Sequence, residues 1–71
     1  MADSVYRVTE IVGTSSESWE AATRTAVEVA SRSLRDLRIA EVVRLDVTID
    51  DGKVATYRAR LNVSFKYEGG D

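Results

Sequence analysis

Three carboxylates crowd one short stretch of the chain: Asp46, Asp50 and Asp51. Carboxylate oxygen is the hard donor that calcium prefers, and a calcium ion takes about six to eight oxygens. One chain supplies too few from this stretch, so a calcium site here would gather them from several copies by symmetry. The plain alternative is that these are solvated turn residues, since aspartate is common in turns. Trp19 is the single tryptophan. Its ring could stack on a planar ligand, or it could be a part-buried packing residue early in a helix. Gly13-Thr14-Ser15 stands where a strand gives way to a helix. An anion can bind at such an N-terminus, and the same hydroxyls can simply cap it. Arg58 lies in a strand that also carries Arg60, and Arg44 lies in the strand before it.

Other chemistries are excluded by composition. The 71 residues include no histidine and no cysteine, so the usual zinc, haem and iron–sulfur ligand sets are missing. Serines and carboxylates occur in no nucleophile–base arrangement, and there is no glycine-rich phosphate loop. The expectation is a protein that is not an enzyme. The net charge of −2 gives no general attraction to nucleic acid or to a membrane surface. No apolar run approaches the roughly 18 residues of a membrane span. Met1-Ala2-Asp3-Ser4 leads straight into a strand with no visible leader, so a cytoplasmic address is expected.

The elements that must position these residues follow from periodicity. In Val54–Tyr67 the odd positions are apolar (Ala55, Tyr57, Ala59, Leu61, Val63, Phe65, Tyr67) and most even ones polar, which predicts one long strand with one buried face. At about 3.3 Å per residue it spans roughly 45 Å. A compact chain of this length has a radius of gyration near 11 Å, hence a diameter of roughly 30 Å. The strand therefore overhangs its own monomer, and an overhanging apolar face calls for another subunit. A core this small also needs a staple, and without cysteine the staple is oligomerisation.

Val5–Val12 reads as strand one, broken by Gly13. Thr14 and Ser15 read as N-caps, with Glu17 at capping-box spacing from Thr14. A helix is expected from there to Leu37, roughly 33 Å long. Its apolar stripe is Trp19, Ala22, Ala26, Val29, Ala30, Ser33 and Leu37, with Val27 and Leu34 alongside. Strand two covers Ile39–Ile49. The order is β-α-β-β, an α+β fold in a single domain spanning residues 1–71: a three-stranded antiparallel sheet partly wrapped around one long helix. Glu68-Gly69-Gly70-Asp71 reads as a loose tail.

Parity constrains the hairpin at Asp50-Asp51-Gly52-Lys53. A two-residue Asp51-Gly52 turn would set Ile49 opposite Val54 and, carried onward, Leu45 opposite Arg58, mixing apolar and polar residues on both faces. A type I turn with left-handed Gly52 and a bulge keeps the apolar sets together. Two such registers exist. One sets Arg44 opposite Arg58; the other sets Asp46 opposite Arg58 and Arg44 opposite Arg60. Either leaves two arginines facing each other, which is unfavourable unless something acidic stands nearby. The expected partner of Arg58 is Glu41 or Asp46 of a neighbouring subunit, with a bound anion as the alternative.

Four segments carry a family resemblance: Tyr6-Arg7-Val8, Ile11-Val12-Gly13-Thr14-Ser15, Glu41-Val42, and Leu61-Asn62-Val63-Ser64-Phe65-Lys66. With the β-α-β-β order they resemble the dodecins, over nearly the whole chain. The resemblance implies a hollow homododecamer of cubic symmetry. In most members it also implies storage of flavins stacked between tryptophans of two subunits. This sequence departs from the flavin-binding pattern. Where those members read Leu-Asp-Trp-Phe-Glu-Val, it reads Leu37-Arg38-Ile39-Ala40-Glu41-Val42, with Ile39 in the place of the stacking tryptophan. Arg58 takes the place of the glutamine that hydrogen-bonds the flavin ring. Ser18-Trp19-Glu20, Arg38-Ile39-Ala40 and Val63-Ser64-Phe65-Lys66 are closer to the actinobacterial branch of calcium dodecins.

The resemblance thus implies Arg38, Ile39 and Arg58 as positions of a degenerate flavin pocket, and calcium rather than flavin as the ligand. The residues themselves leave Asp46, Asp50 and Asp51 as the candidate metal ligands. Two other readings stand beside this one: a flavin-storage shell with a remodelled pocket, and a structural assembly module.

Overall fold

The computed structural model describes residues 3–66. Tyr67, expected to end the last strand, and the expected tail at Glu68–Asp71 lie outside the described residues. The elements are β1 (Tyr6–Ser15), α1 (Trp19–Ala30), β2 (Leu37–Asp50) and β3 (Lys53–Lys66). The sheet order is β1-β3-β2, and both pairings are antiparallel. The alternation in β3 does what its period requires. Ala59, Leu61 and Val63 are almost fully buried and form the core with Ala22 and Ala26 of α1. Ile11, Val27, Leu34 and Leu37 pack around that cluster.

Gly13, expected to end strand one, lies inside β1 opposite Ala59. Its role is steric. A Cβ at this position would overlap the Ala22 carbonyl oxygen and come within 2.7 Å of the Ala26 Cβ. Glycine on the strand and alanines on the helix let the two backbones touch.

The helix is shorter than its pattern predicts, at 12 residues, about 18 Å. Its N-cap is Ser18, not Thr14 or Ser15. Ser18 is extended, and its Oγ accepts the Ala21 N–H at 3.0 Å. Thr14 and Ser15 stay in the sheet because Arg58 and Tyr57 offer them ladder partners, which a capping box cannot match. At the other end, hydroxyls compete with the helical ladder. Ser31 Oγ donates to the Glu28 carbonyl at 2.8 Å, and the N–H groups of Arg32 and Ser33 bond three residues back. Asp36, left-handed at φ 58°, then turns the chain into β2. Within the helix Ala22, Ala26 and Ala30 are buried as expected, while Val29 is 52% exposed.

The hairpin turn has two residues, contrary to the parity argument: Asp50 pairs with Lys53 and Ile49 with Val54. Asp51 (φ 53°) and Gly52 (φ 74°) are both left-handed, as a type I′ turn requires. Parity is restored one step deeper. Thr48 pairs with Thr56, so Ala55 is an extra residue in β3 and the register shifts there. Further shifts at Arg38 and Val43 each add a residue to β2. Bulges of this kind increase twist and bend a strand, which suits a sheet that curls over a helix.

The molecule measures 54 × 20 × 17 Å with a radius of gyration of 14.7 Å, well above the ~11 Å of a compact chain this size. The long hairpin overhangs, as its length predicts. The helix lies mainly over β1 and β3, so Val42 and Leu45 on β2, and Ile49 and Val54 near the hairpin tip, remain exposed. Among the described residues no helix is long and apolar enough to cross a membrane.

Candidate functional site

The face of the sheet turned away from the helix carries the polar residues of β3. Because directly paired residues share a face, the register builds a ladder across β2 and β3: Thr48–Thr56, Asp46–Arg58, Arg44–Arg60, Glu41–Asn62 and Ile39–Ser64. From β1, Thr14, Val12, Glu10 and Val8 pair with Arg58, Arg60, Asn62 and Ser64 on the same face.

Two rungs are closed by hydrogen bonds. The Thr48 and Thr56 hydroxyls meet at 2.6 Å. Arg58 grips Asp46 with two donors, Nε to Oδ1 at 2.7 Å and Nη2 to Oδ2 at 2.9 Å. This is the planar fork geometry that makes arginine–carboxylate pairs strong. The pair is only part-covered, with each side chain 38% exposed. The hydrogen bonds from Arg58 hold the Asp46 carboxyl below its ordinary range, with smaller contributions from the charges of Arg58, Arg60 and Arg44. The same bonds raise Arg58 above its ordinary value.

Asp46 is held from the other side as well. Trp19, the first residue of α1, donates its indole Nε1–H to the Asp46 carbonyl oxygen at 3.1 Å. The indole meets the Tyr57 ring edge-on, with centroids 5.1 Å apart and planes at 80°. Trp19 therefore locks the start of the helix to the hairpin, which is the packing role open to it from sequence.

The register settles one expectation against the sequence reading. Arg58 does pair with Asp46, but within its own hairpin and not across a subunit interface. Of the two registers open from sequence, the structure takes the one that puts Asp46 directly opposite Arg58. The arginine juxtaposition forced by that choice is present, Arg44 opposite Arg60. Arg60 reaches Glu10 of β1 at 3.4 Å. Glu10 and Tyr57 were not singled out from sequence. The signal for Glu10 is its position in β1, readable only once the β1–β3 register is known.

The remaining candidates lie apart. Arg38 is the extra residue of a bulge in β2, and Ile39 follows it, 64% exposed, opposite Ser64. Ser64 Oγ donates to the Ile39 carbonyl at 3.3 Å. A recess of about 190 Å³ opens beside them, bounded by Leu37, Arg38, Ile39, Ala40, Val27 and Val63. From Ser64 to Arg58 is six residues of β3, roughly 20 Å, so one chain does not bring Ile39 and Arg58 together. Asp50 and Asp51 sit at the hairpin tip, exposed, roughly 13 Å or more along the strand from Asp46. Among the described residues of one chain, no group of three or more acids is placed to hold a metal ion.

A larger apolar groove, about 570 Å³, runs between β1 and α1 along Ile11, Gly13, Ala26, Val29 and Leu34.

The Dodecin family model matches residues 5–68. The chain belongs to the dodecin family. It is 48% identical to the calcium dodecin of Mycobacterium tuberculosis over 63 residues, 89% of either chain. The solved structure of that relative, a calcium-chelating immunodominant antigen with a novel calcium-binding site, gives a TM-score of 0.81 at 46% identity, covering 96% of this chain and 97% of the other. The dodecin of Streptomyces coelicolor gives a TM-score of 0.91 at 41% identity, covering 99% and 100%. The three antiparallel strands and single helix described above are the dodecin fold. Within it, this dodecin carries isoleucine at position 39 and an arginine–aspartate pair on the open face of the hairpin.

Proposed function

We propose that this dodecin forms a hollow homododecameric shell that sequesters a small ligand or ion, with calcium as the ion and without catalysis. The observation that carries the reading is Ile39 on the open sheet face, with the Asp46–Arg58 fork farther along the same face. A flavin ring stacked there would find an aliphatic side chain in place of a π surface. At its edge, if a second copy brought its Arg58 there, it would find a guanidinium whose donors already serve a carboxylate. The likeness to a calcium dodecin supports the choice of ion. Assembly is supported by the overhanging hairpin and the exposed Val42, Leu45, Ile49 and Val54, which another copy would cover.

Asp46 is a poor calcium ligand in this setting, because both its oxygens are taken by Arg58. Asp50 and Asp51 at the exposed tip are better placed. Each copy brings two carboxylates, and three or more tips meeting on a symmetry axis would approach the six to eight oxygens calcium needs.

Native mass spectrometry tests assembly and retained ligand together. The expected mass is near 95 kDa, twelve times the 7.9 kDa chain; a mass near 8 kDa at micromolar concentration would sink the shell. Calcium should raise the melting temperature, chelation should reverse the rise, and the double variant Asp50→Asn, Asp51→Asn should abolish it. The recess beside Ile39 favours a second reading, a remodelled flavin pocket. Quenching of riboflavin fluorescence by the unmodified protein would select that reading. A response to neither ligand would leave a structural module.

A further inference from the structure

The charges on the open face of the sheet are unevenly paired. Arg58 is satisfied by Asp46 through two short bonds. Arg60 has one long contact, 3.4 Å, to Glu10, a residue that is itself 52% exposed. Arg44 stands directly opposite Arg60, and among the described residues its side chain makes no hydrogen bond or ion pair. Glu41 shares the face opposite Asn62 but pairs with neither arginine. Residues directly opposite in an antiparallel pair have Cβ atoms about 4.5–5.5 Å apart, and like charges there repel. The fields of Arg44, Arg58 and Arg60 all reach the one carboxylate of Asp46, and that carboxylate is already engaged by Arg58.

We propose that Arg44 and Arg60 form a seat for a tetrahedral oxyanion of the phosphate class, free or as the end group of a larger ligand. Two arginines directly opposite each other on adjacent strands can each present a fork of N–H donors to one anion once Arg60 turns from Glu10. The anion replaces their mutual repulsion with two charge-assisted contacts. Val12 of β1 flanks Arg60 on the other side and adds no competing carboxylate, while Glu10 is a weak competitor that the anion would displace or leave aside. The site is separate from the hairpin-tip aspartates and from Ile39, so it stands whether or not the shell holds calcium.

The test is phosphate binding by the full chain in its native assembly, followed by calorimetry and by melting, at fixed ionic strength set with chloride. Inorganic phosphate is expected to bind and to raise the melting temperature beyond what chloride does. Arg44→Gln removes one charge-assisted partner and should weaken binding about tenfold or more. Arg44→Glu should abolish binding and raise the phosphate-free melting temperature, because it turns the repelling pair into an ion pair across the strands. Lys53→Gln, on the hairpin tip, should leave phosphate binding intact. Phenyl phosphate measured in parallel separates the two sources: tighter binding of the ester assigns the seat to the end group of a larger ligand, tighter binding of the free ion to phosphate itself. The proposal is overturned if neither compound binds better than chloride, or if Arg44→Glu binds phosphate as well as the native chain. It is also overturned if Arg44→Gln breaks the assembly without any phosphate effect in the native protein, because a neighbouring subunit's carboxylate then fills the pair.

Discussion

Gly13 and Ala22 meet backbone to backbone, leaving no room for a Cβ on the strand beneath the helix. Gly13→Ala should therefore destabilise the protein by about 1–3 kcal/mol, the usual cost of overpacking a tight contact. The effect is steric and not conformational, because Gly13 sits within regular β1. Urea unfolding of both proteins at the same concentration would measure it; equal midpoints would mean that the helix can lift away freely.

The Asp46–Arg58 fork makes stability depend on acid. Asp46 is held below its ordinary value, 3.8, chiefly by the Arg58 hydrogen bonds. A carboxylate depressed on folding contributes stability that is fully present above its unfolded pKa. That contribution is lost as pH falls through the lower, folded value. The melting temperature should thus be insensitive to this pair at neutral pH and decline below about pH 4. Asp46→Asn should be less stable than the native chain at pH 7, and the gap should narrow as pH falls below 4. A gap that stays constant with pH would mean that the fork does not contribute. The pair is part-exposed, so the effect should be modest and sensitive to salt.

Legibility from sequence followed how local the deciding forces were. The alternation of β3 needed only its own residues, and it yielded the buried face of Ala59, Leu61 and Val63 and the overhang. The helix ends were not local decisions. Thr14, Ser15, Ser16 and Ser18 all have cap chemistry, and the choice among them came from the ladder that β3 offers to Thr14 and Ser15. Parity rightly required an odd residue near the hairpin but misplaced it, since a bulge at Ala55 and a longer loop satisfy the same count. The same argument narrowed the Arg58 register to two, and the structure takes the one with Asp46 opposite. What sequence could not supply was the Arg60–Glu10 contact, which joins residues fifty positions apart.

The turn itself offers a sharp test of the revised geometry. Gly52 at φ 74° has nothing within 4 Å of where a Cβ would go, so substitution there costs conformational energy and no packing. Gly52→Ala should destabilise by about 1 kcal/mol, as expected for an L-residue forced into the left-handed region. Asp51→Gly should be neutral or slightly stabilising, because position 51 is left-handed too. In a type I turn followed by a bulge, the first position would not be left-handed, and Asp51→Gly would weaken the hairpin. Thermal melts of the two variants therefore separate the two turn types.

Flavin affinity can be argued from geometry in the same way. In one chain Ile39 and Arg58 lie roughly 20 Å apart, so a ring touching both positions must lie between two copies. The stack then depends on residue 39 of each, and isoleucine supplies no aromatic face. Aromatic pairing is worth about 0.5–1.5 kcal/mol per pair, which is roughly two- to twelve-fold in affinity. Riboflavin should bind the native chain weakly, and Ile39→Trp should raise its affinity about tenfold, read as quenching of flavin fluorescence with an unchanged oligomer mass. Adding Arg58→Gln should raise it further by exchanging an occupied guanidinium for a free amide. That second change also strips Asp46 of its partner, so the double variant should melt lower than Ile39→Trp alone at pH 7 and regain parity below pH 4. Native protein that quenches riboflavin as strongly as Ile39→Trp would show that the ring is held by something other than stacking at position 39.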